Sequence, residues 1–236
     1  MSNKFDGMKN PIFVALDLDD KEKALDIVSK TKDHVGGFKI GPRLVFRHGT
    51  EIISQAAKSA PVFLDFKFLD IPSTMDSAVR AAFEAGSTFV TVHATSGPEA
   101  LKLLAKTEKE LSQKRPFHIF AVTLLTSFSK ETLPANYNND SIQEQILALV
   151  EQSVECGIKS FVCSPHELKT LKNKFPQCHF ITPGIRSLAD SAGDQKRTAT
   201  PAEALNHGAS ALVIGRPILQ SSDPKQFILD ILKSIN

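Results

Sequence analysis

In Val62-Phe63-Leu64-Asp65-Phe66-Lys67-Phe68 the even positions 62, 64, 66 and 68 are all apolar, while 65 and 67 are charged. A period of two belongs to a β-strand, whose successive side chains point to opposite faces. One face of this strand therefore packs under helices, and Asp65 and Lys67 share the other.

The same pattern recurs on either side. In Ile12–Asp17 and the residue after it, Ile12, Val14, Leu16 and Leu18 fall on one face and Phe13, Ala15 and Asp17 on the other. Lys39 is opposite in parity to Phe38 and Ile40. Eight short β-branched or aromatic runs are candidate strands: Ile12–Asp17, Val35–Ile40, Val62–Lys67, Phe89–His93, Ile119–Leu125, Ser160–Ser164, His179–Thr182 and Ala211–Ile214. Between them lie amphipathic stretches, among them Lys21–Lys30, Ser73–Ala85, Pro98–Leu111, Ile142–Glu155 and Pro165–Lys174. Strand and helix alternate, so the sheet is expected to be parallel. Eight βα units without a linker or low-complexity segment favour a closed (β/α)8 TIM barrel over an open sheet. The length of 236 residues suits that fold, which typically needs about 250 residues. Residues 1–236 are read as one domain, with 1–10 a flexible or peripheral N-terminal segment.

Composition narrows the function. A formal net charge of +2, with Lys and Arg scattered, gives no field for a polynucleotide, so no nucleic-acid partner is expected. The start of the chain is polar with no apolar h-region, and no apolar run is long enough to cross a bilayer; the expectation is a cytoplasmic protein with no membrane partner. Cys156, Cys163 and Cys178 are odd in number and lack a C-x-x-C spacing, which points to reduced, buried thiols.

Asp17, Lys39, Asp65 and Lys67 all face inward at the carboxyl ends of their strands, the end where barrels of this kind hold their active sites. Any one of them alone reads as a solvated loop residue. Four charges in a confined mouth require opposite neighbours, so an alternating Lys–Asp arrangement is expected. Asp70 lies past the strand, before Pro72, and either turns toward this array or toward a partner, or, like Ser73, caps the next helix. His93 faces inward too and is read as a satisfied core histidine. Near the end of the chain, Pro183-Gly184-Ile185-Arg186 and Gly215-Arg216-Pro217 follow the seventh and eighth strands, where barrels commonly hold a phosphate. Gly215 allows close approach to backbone N–H groups, and Arg186 and Arg216 offer multidentate donors. No metal-ligand spacing, P-loop or G-x-G-x-x-G is present, so neither metal nor cofactor is expected.

The segment Asp65-Phe66-Lys67-Phe68-Leu69-Asp70-Ile71-Pro72-Ser73-Thr74 resembles the D-x-K-x-x-D-I-P-x-T signature of orotidine 5′-phosphate decarboxylases. Ala15-Leu16-Asp17, Phe38-Lys39, Leu125-Thr126-Ser127, Pro183–Arg186, Gly193-Asp194-Gln195 and Gly215–Pro217 follow in the family's order. The resemblance implies conversion of orotidine 5′-monophosphate to uridine 5′-monophosphate and carbon dioxide, the last step of pyrimidine nucleotide synthesis, without metal or cofactor. It implies a homodimer with composite sites. Lys39, Asp65, Lys67 and Asp70 would form the charge array, with Asp70 and Thr74 reaching into the neighbouring subunit. Asp17 and Lys39 would hold the ribose, Thr126 the pyrimidine, and Arg186, Gln195, Gly215 and Arg216 the phosphate.

Two alternatives stay open at this level. Magnesium-dependent sugar-phosphate decarboxylases and synthases resemble the chain in the D-x-K-x-x-D motif, but they carry an acidic ligand at the strand-two position, which here is Lys39. A non-catalytic barrel binding nucleotide phosphate is the other.

Overall fold

The computed structural model describes residues 5, 8–128, 132–134, 137, 141–186 and 198–235. Eight parallel strands close into a barrel in chain order: β1 (Ile12–Ala15), β2 (Gly37–Ile40), β3 (Val62–Phe68), β4 (Phe89–His93), β5 (His118–Val122), β6 (Ser160–Val162), β7 (His179–Thr182) and β8 (Ala211–Ile214). The circle shuts where β8 pairs with β1, Phe13 against Val213 and Val14 against Ile214. Each stretch read as a strand from the sequence is one, with edges displaced by up to three residues. β1, for example, leaves the ladder at Ala15, so Asp17 stands on the loop just above it.

Among the described residues the helices are α1 (Lys21–Thr31), α2 (Pro42–His48), α3 (Glu51–Ala57), α4 (Pro72–Glu84), α5 (Gly97–Leu111), α6 (Ile142–Glu155), α7 (Leu168–Lys174), α8 (Pro201–Asn206), α9 (Arg216–Leu219) and α10 (Pro224–Ser234). Their starts are set by side chains that satisfy the first free N–H groups. The Asp20 carboxylate accepts from the N–H groups of Glu22 and Lys23 at 2.9 and 3.2 Å. Ser141 with Glu144, and Thr200 with Glu203, form reciprocal capping boxes. A cap of this kind contributes about 1 kcal/mol. By fixing the first turn it also fixes the length of the βα loop that carries functional side chains.

The strand alternation divides the core into two layers. Ile12, Val14, Phe38, Ile40, Val62 and Leu64 face outward under the helices. Phe13, Phe63, Phe89 and Phe120 face inward and fill the barrel axis. Their rings meet edge-on or tilted, at centroid separations from 5.2 Å for Phe13–Phe89 to 6.2 Å for Phe63–Phe89. The interior is therefore a packed floor beneath the carboxyl ends of the strands.

The N-terminal segment departs from the expectation. Phe5 and Met8 are not peripheral: they are 2% and 5% exposed and join the inner layer. The Phe5 ring lies 5.6 Å from Phe89, 5.2 Å from His118 and 4.8 Å from His179. It closes the amino-terminal end of the barrel, where those rings would otherwise meet water. Burying such a side chain stabilises by roughly 1.5–3 kcal/mol relative to leaving it exposed. Cys156, Cys163 and Cys178 are buried and take part in no disulfide. No described helix is long and apolar enough to cross a membrane.

Candidate active site

The mouth of the barrel is built around an irregularity in β3. Leu64 pairs with Val90, but the next partners are Phe68 and Val92, so four residues of advance on β3 match two on β4. The intervening segment bulges from the ladder, a device that re-aims side chains. Within it Lys67 has φ 51°, the only non-glycine residue with positive φ among those described. That conformation costs about 1–2 kcal/mol and persists only where its surroundings hold it.

Four charges form a chain across the mouth. Lys39 Nζ lies 2.9 Å from Asp17 Oδ1 and 3.4 Å from Asp65 Oδ2, and Lys67 Nζ lies 2.8 Å from Asp65 Oδ1. The order is Asp17–Lys39–Asp65–Lys67, with signs alternating as the sequence reading required. The Lys39 and Asp65 side chains are 11% and 16% exposed, against 36% for Lys67. Lys67 is thus the more accessible of the two lysines in a row whose centre, Lys39 and Asp65, is buried and whose other end, Asp17, is 51% exposed.

Burial works against the charged form of Lys39, but Asp65 and Asp17 together outweigh it and hold its pKa above the ordinary lysine value. Burial likewise opposes the Asp65 carboxylate; Lys39, Lys67 and hydrogen bonds from Lys67 and Thr91 overcome it and depress its pKa. Both groups therefore stay charged at neutral pH. A carboxyl with a depressed folded pKa contributes stability above its unfolded value, about 3.9, and loses it as pH falls through the folded value. The stability difference between wild type and Asp65→Asn, read from denaturant midpoints, is expected to hold constant near neutrality and to shrink below about pH 4. A difference unchanged at the lowest pH at which both proteins stay folded contradicts the depressed pKa.

Two further residues complete the support. Thr91, fully buried on β4, accepts the Lys67 N–H at 2.8 Å and donates its hydroxyl to Asp65 Oδ1 at 3.1 Å. Arg43, on α2, grips Asp19 through Nε and Nη2 at 2.7 and 2.6 Å and donates from Nη1 to the Asp17 carbonyl at 3.1 Å. The sequence reading named neither. Thr91 shares a face with Phe89 and His93, so the parity rule that exposed Lys39 would have found it as an inward polar residue.

Asp70 and Thr74 do not join this array within the chain. Both are exposed, and the Asp70 carboxylate accepts from the Ile71 N–H at 2.7 Å. Neither Asp70 nor Ser73 caps α4: its N-cap is Ile71, without a side-chain bond, and Pro72 begins the helix. Proline supplies no N–H at the first turn, which reduces the need for a cap. His93 is half-buried, and burial, then the Lys67 charge, lower its pKa.

Above the phenylalanine floor lies a cavity of about 600 Å³. Asp17, Lys39, Asp65 and Lys67 line one side; Thr126 lies across from them, with Arg186, Gly215 and Arg216 at the rim after β7 and β8. A Cβ on Gly215 would stand 3.3 Å from the Ala15 Cβ and 3.8 Å from Asp17 Oδ2, so a side chain there would crowd the wall. Gln195 lies outside the described residues. No group of three or more His, Cys, Asp or Glu side chains among the described residues is arranged to hold a metal ion. The site offers one end suited to an anion and one suited to stabilising localised negative charge, some distance apart along one pocket.

Comparison with known proteins gives a consistent picture. Residues 10–231 match the model of the orotidine 5′-phosphate decarboxylase / HUMPS family. The chain is 37% identical over 225 residues to an orotidine 5′-phosphate decarboxylase of Erythrobacter litoralis, covering 95% of this chain and 98% of that protein. It is 38% identical over 241 residues to the enzyme of that name from Prochlorococcus marinus, covering 99% of each. The crystal structure of orotidine 5′-phosphate decarboxylase from Lactobacillus acidophilus superimposes with a TM-score of 0.84 at 33% identity, covering 97% of this chain and 100% of that one.

Proposed function

Because this chain belongs to the orotidine 5′-phosphate decarboxylase / HUMPS family and is a carboxy-lyase of the last step in UMP synthesis, we propose that Lys67 meets the negative charge generated when orotidine 5′-monophosphate loses carbon dioxide. When the bond from C6 to the carboxylate breaks, its electron pair stays on C6 in an orbital that the ring cannot delocalise well. A fixed ammonium beside that carbon stabilises the pair and then gives it a proton, yielding uridine 5′-monophosphate; the neutral amine regains its proton from solvent. The observation that carries this reading is the geometry of the charge row: Lys67 is its more accessible cation, ion-paired to Asp65 at 2.8 Å and facing the cavity.

The other roles follow from position. Asp17 and Lys39 lie on the wall where ribose hydroxyls would sit between the ring and the phosphate. Thr126 faces the ring. Arg186, Arg216 and the backbone at Gly215 suit the phosphate, with Gln195 added by resemblance alone. Binding energy from the phosphate, remote from C6, is available to order the mouth and exclude water.

The working form is a homodimer with composite sites, to which Asp70 and Thr74 contribute from the neighbouring subunit. Supporting this, Leu69 and Ile71 on either side of Asp70 are 57% and 63% exposed, and Phe46 on α2 is 81% exposed. Large apolar side chains presented to solvent around a motif carboxylate suit a surface covered by a second copy. The protein is placed in the cytoplasm, where soluble nucleotide precursors are made.

Loss of orotidine 5′-monophosphate absorbance with purified protein in EDTA tests the reaction. Turnover is expected to persist in EDTA. Orotidine, which lacks the phosphate, is expected to show a lower kcat and not only a higher KM. Activity that appears only with added magnesium, or a kcat unchanged with the nucleoside, counts against this reading.

A further inference from the structure

We propose that Thr91 is a positioning residue for this decarboxylation, its hydroxyl tying the Asp65 carboxylate to the Lys67 backbone and thereby fixing where the Lys67 ammonium stands. The proposal rests on the assignment of Lys67 above.

Four observations carry it. The register jump between Leu64 and Phe68 takes Lys67 out of the β3–β4 ladder. Its N–H is bonded instead to Thr91 Oγ1 at 2.8 Å. Lys67 also holds φ 51°, a conformation its neighbours must maintain. The same hydroxyl donates to Asp65 Oδ1 at 3.1 Å, the oxygen that receives Lys67 Nζ at 2.8 Å. A hydroxyl has one proton to give and lone pairs with which to accept, so both bonds are made at once without conflict. Both ends of the Lys67 residue, backbone and ammonium, are thus referred to one buried point on β4.

Asp65 needs such an anchor. Lys39 approaches Oδ2 at 3.4 Å and Lys67 approaches Oδ1 at 2.8 Å, from opposite sides of the carboxylate. These two lysine contacts, one to each oxygen, do not by themselves fix the rotation of the carboxylate plane. Thr91 adds a third contact from a β-branched side chain with few rotamers. Thr91 is fully buried and does not line the cavity, so any effect on turnover must pass through Asp65 and Lys67.

The test compares Thr91→Val, which keeps the shape and removes the hydroxyl, with Thr91→Ser, which keeps the hydroxyl. Wild type and both variants are measured for kcat and KM with orotidine 5′-monophosphate and for the number of uridine 5′-monophosphate sites. In Thr91→Val, kcat is expected to fall roughly 10- to 100-fold, the scale of one hydrogen bond to a charged group. KM and the number of nucleotide sites are expected to change by less than about threefold. Thr91→Ser is expected to recover most of the lost kcat. If Thr91→Val does not accumulate as folded protein, Thr91→Cys, whose thiol is a weak donor and acceptor, replaces it under the same expectation. A kcat within about twofold of wild type in the variant lacking the hydroxyl overturns the proposal while leaving the decarboxylase reading intact. So does a loss of kcat matched by an equal loss of nucleotide sites and not recovered by serine, which marks a packing role alone. An inactive wild type removes the decarboxylase reading and this proposal together.

Discussion

Lys67→Ala is expected to lower kcat by at least about four orders of magnitude, combining roughly 10²–10⁴ for lost proton transfer with 10²–10³ for lost electrostatic stabilisation. The protein is expected to remain folded and to bind uridine 5′-monophosphate. Asp65 keeps two partners without Lys67: Lys39 Nζ at 3.4 Å and the Thr91 hydroxyl at 3.1 Å. The carboxylate left behind is therefore not an isolated buried charge. Single-turnover kinetics beside calorimetric titration of the product separate chemistry from binding. Near-normal turnover in the variant means that another group protonates C6, and the role given to the charge row is wrong.

Mixing Lys67→Ala with Asp70→Ala, each inactive alone, is expected to restore about a quarter of wild-type activity. In a two-fold dimer with composite sites, random pairing makes half the dimers mixed, and each mixed dimer carries one site with both residues intact. The expectation follows from where Asp70 lies: exposed, bonded to its own Ile71 N–H at 2.7 Å, and away from the cavity of its own chain. Were the sites contained within one chain, mixing would restore nothing. Subunit exchange, followed with two differently labelled chains, is measured in the same samples; exchange without recovery contradicts the composite site.

Much of this was legible in the sequence because strands obey a strict period. The alternation in Val62–Phe68 put Asp65 and Lys67 on the face the structure gives them, and the same rule placed Lys39 and Asp17. What escaped was whatever depends on pairing between segments. The bulge in β3 is a mismatch with β4, and no property of either strand alone reveals it. The contact from Thr91 to the Lys67 backbone is a product of that mismatch. The short helices α2, α3, α8 and α9 are too brief for a helical period to emerge, although Pro42, Pro201 and Pro217 stand at or near their starts. α10 did have a signal, Asp223 followed by Pro224, with the carboxylate accepting from the Gln226 N–H at 2.9 Å. Phe5 was misjudged because a polar, charged neighbourhood outweighs one aromatic in any compositional reading. Its burial depends on an open barrel end that only the closed fold creates.

That plug bears on the order in which the molecule assembles. Phe5 precedes β1, yet the rings it packs against belong to β4, β5 and β7, far downstream of it. The seam between β1 and β8 spans nearly the whole chain as well. Contacts this distant in sequence carry the largest loop-closure entropy and are made late. Phe5 is therefore expected to stay exposed until β4, β5 and β7 are in place. Joining the first strand to the last and stoppering the base are expected to be late steps of one maturation, and only then do all the strand ends bearing the charge row belong to a closed ring.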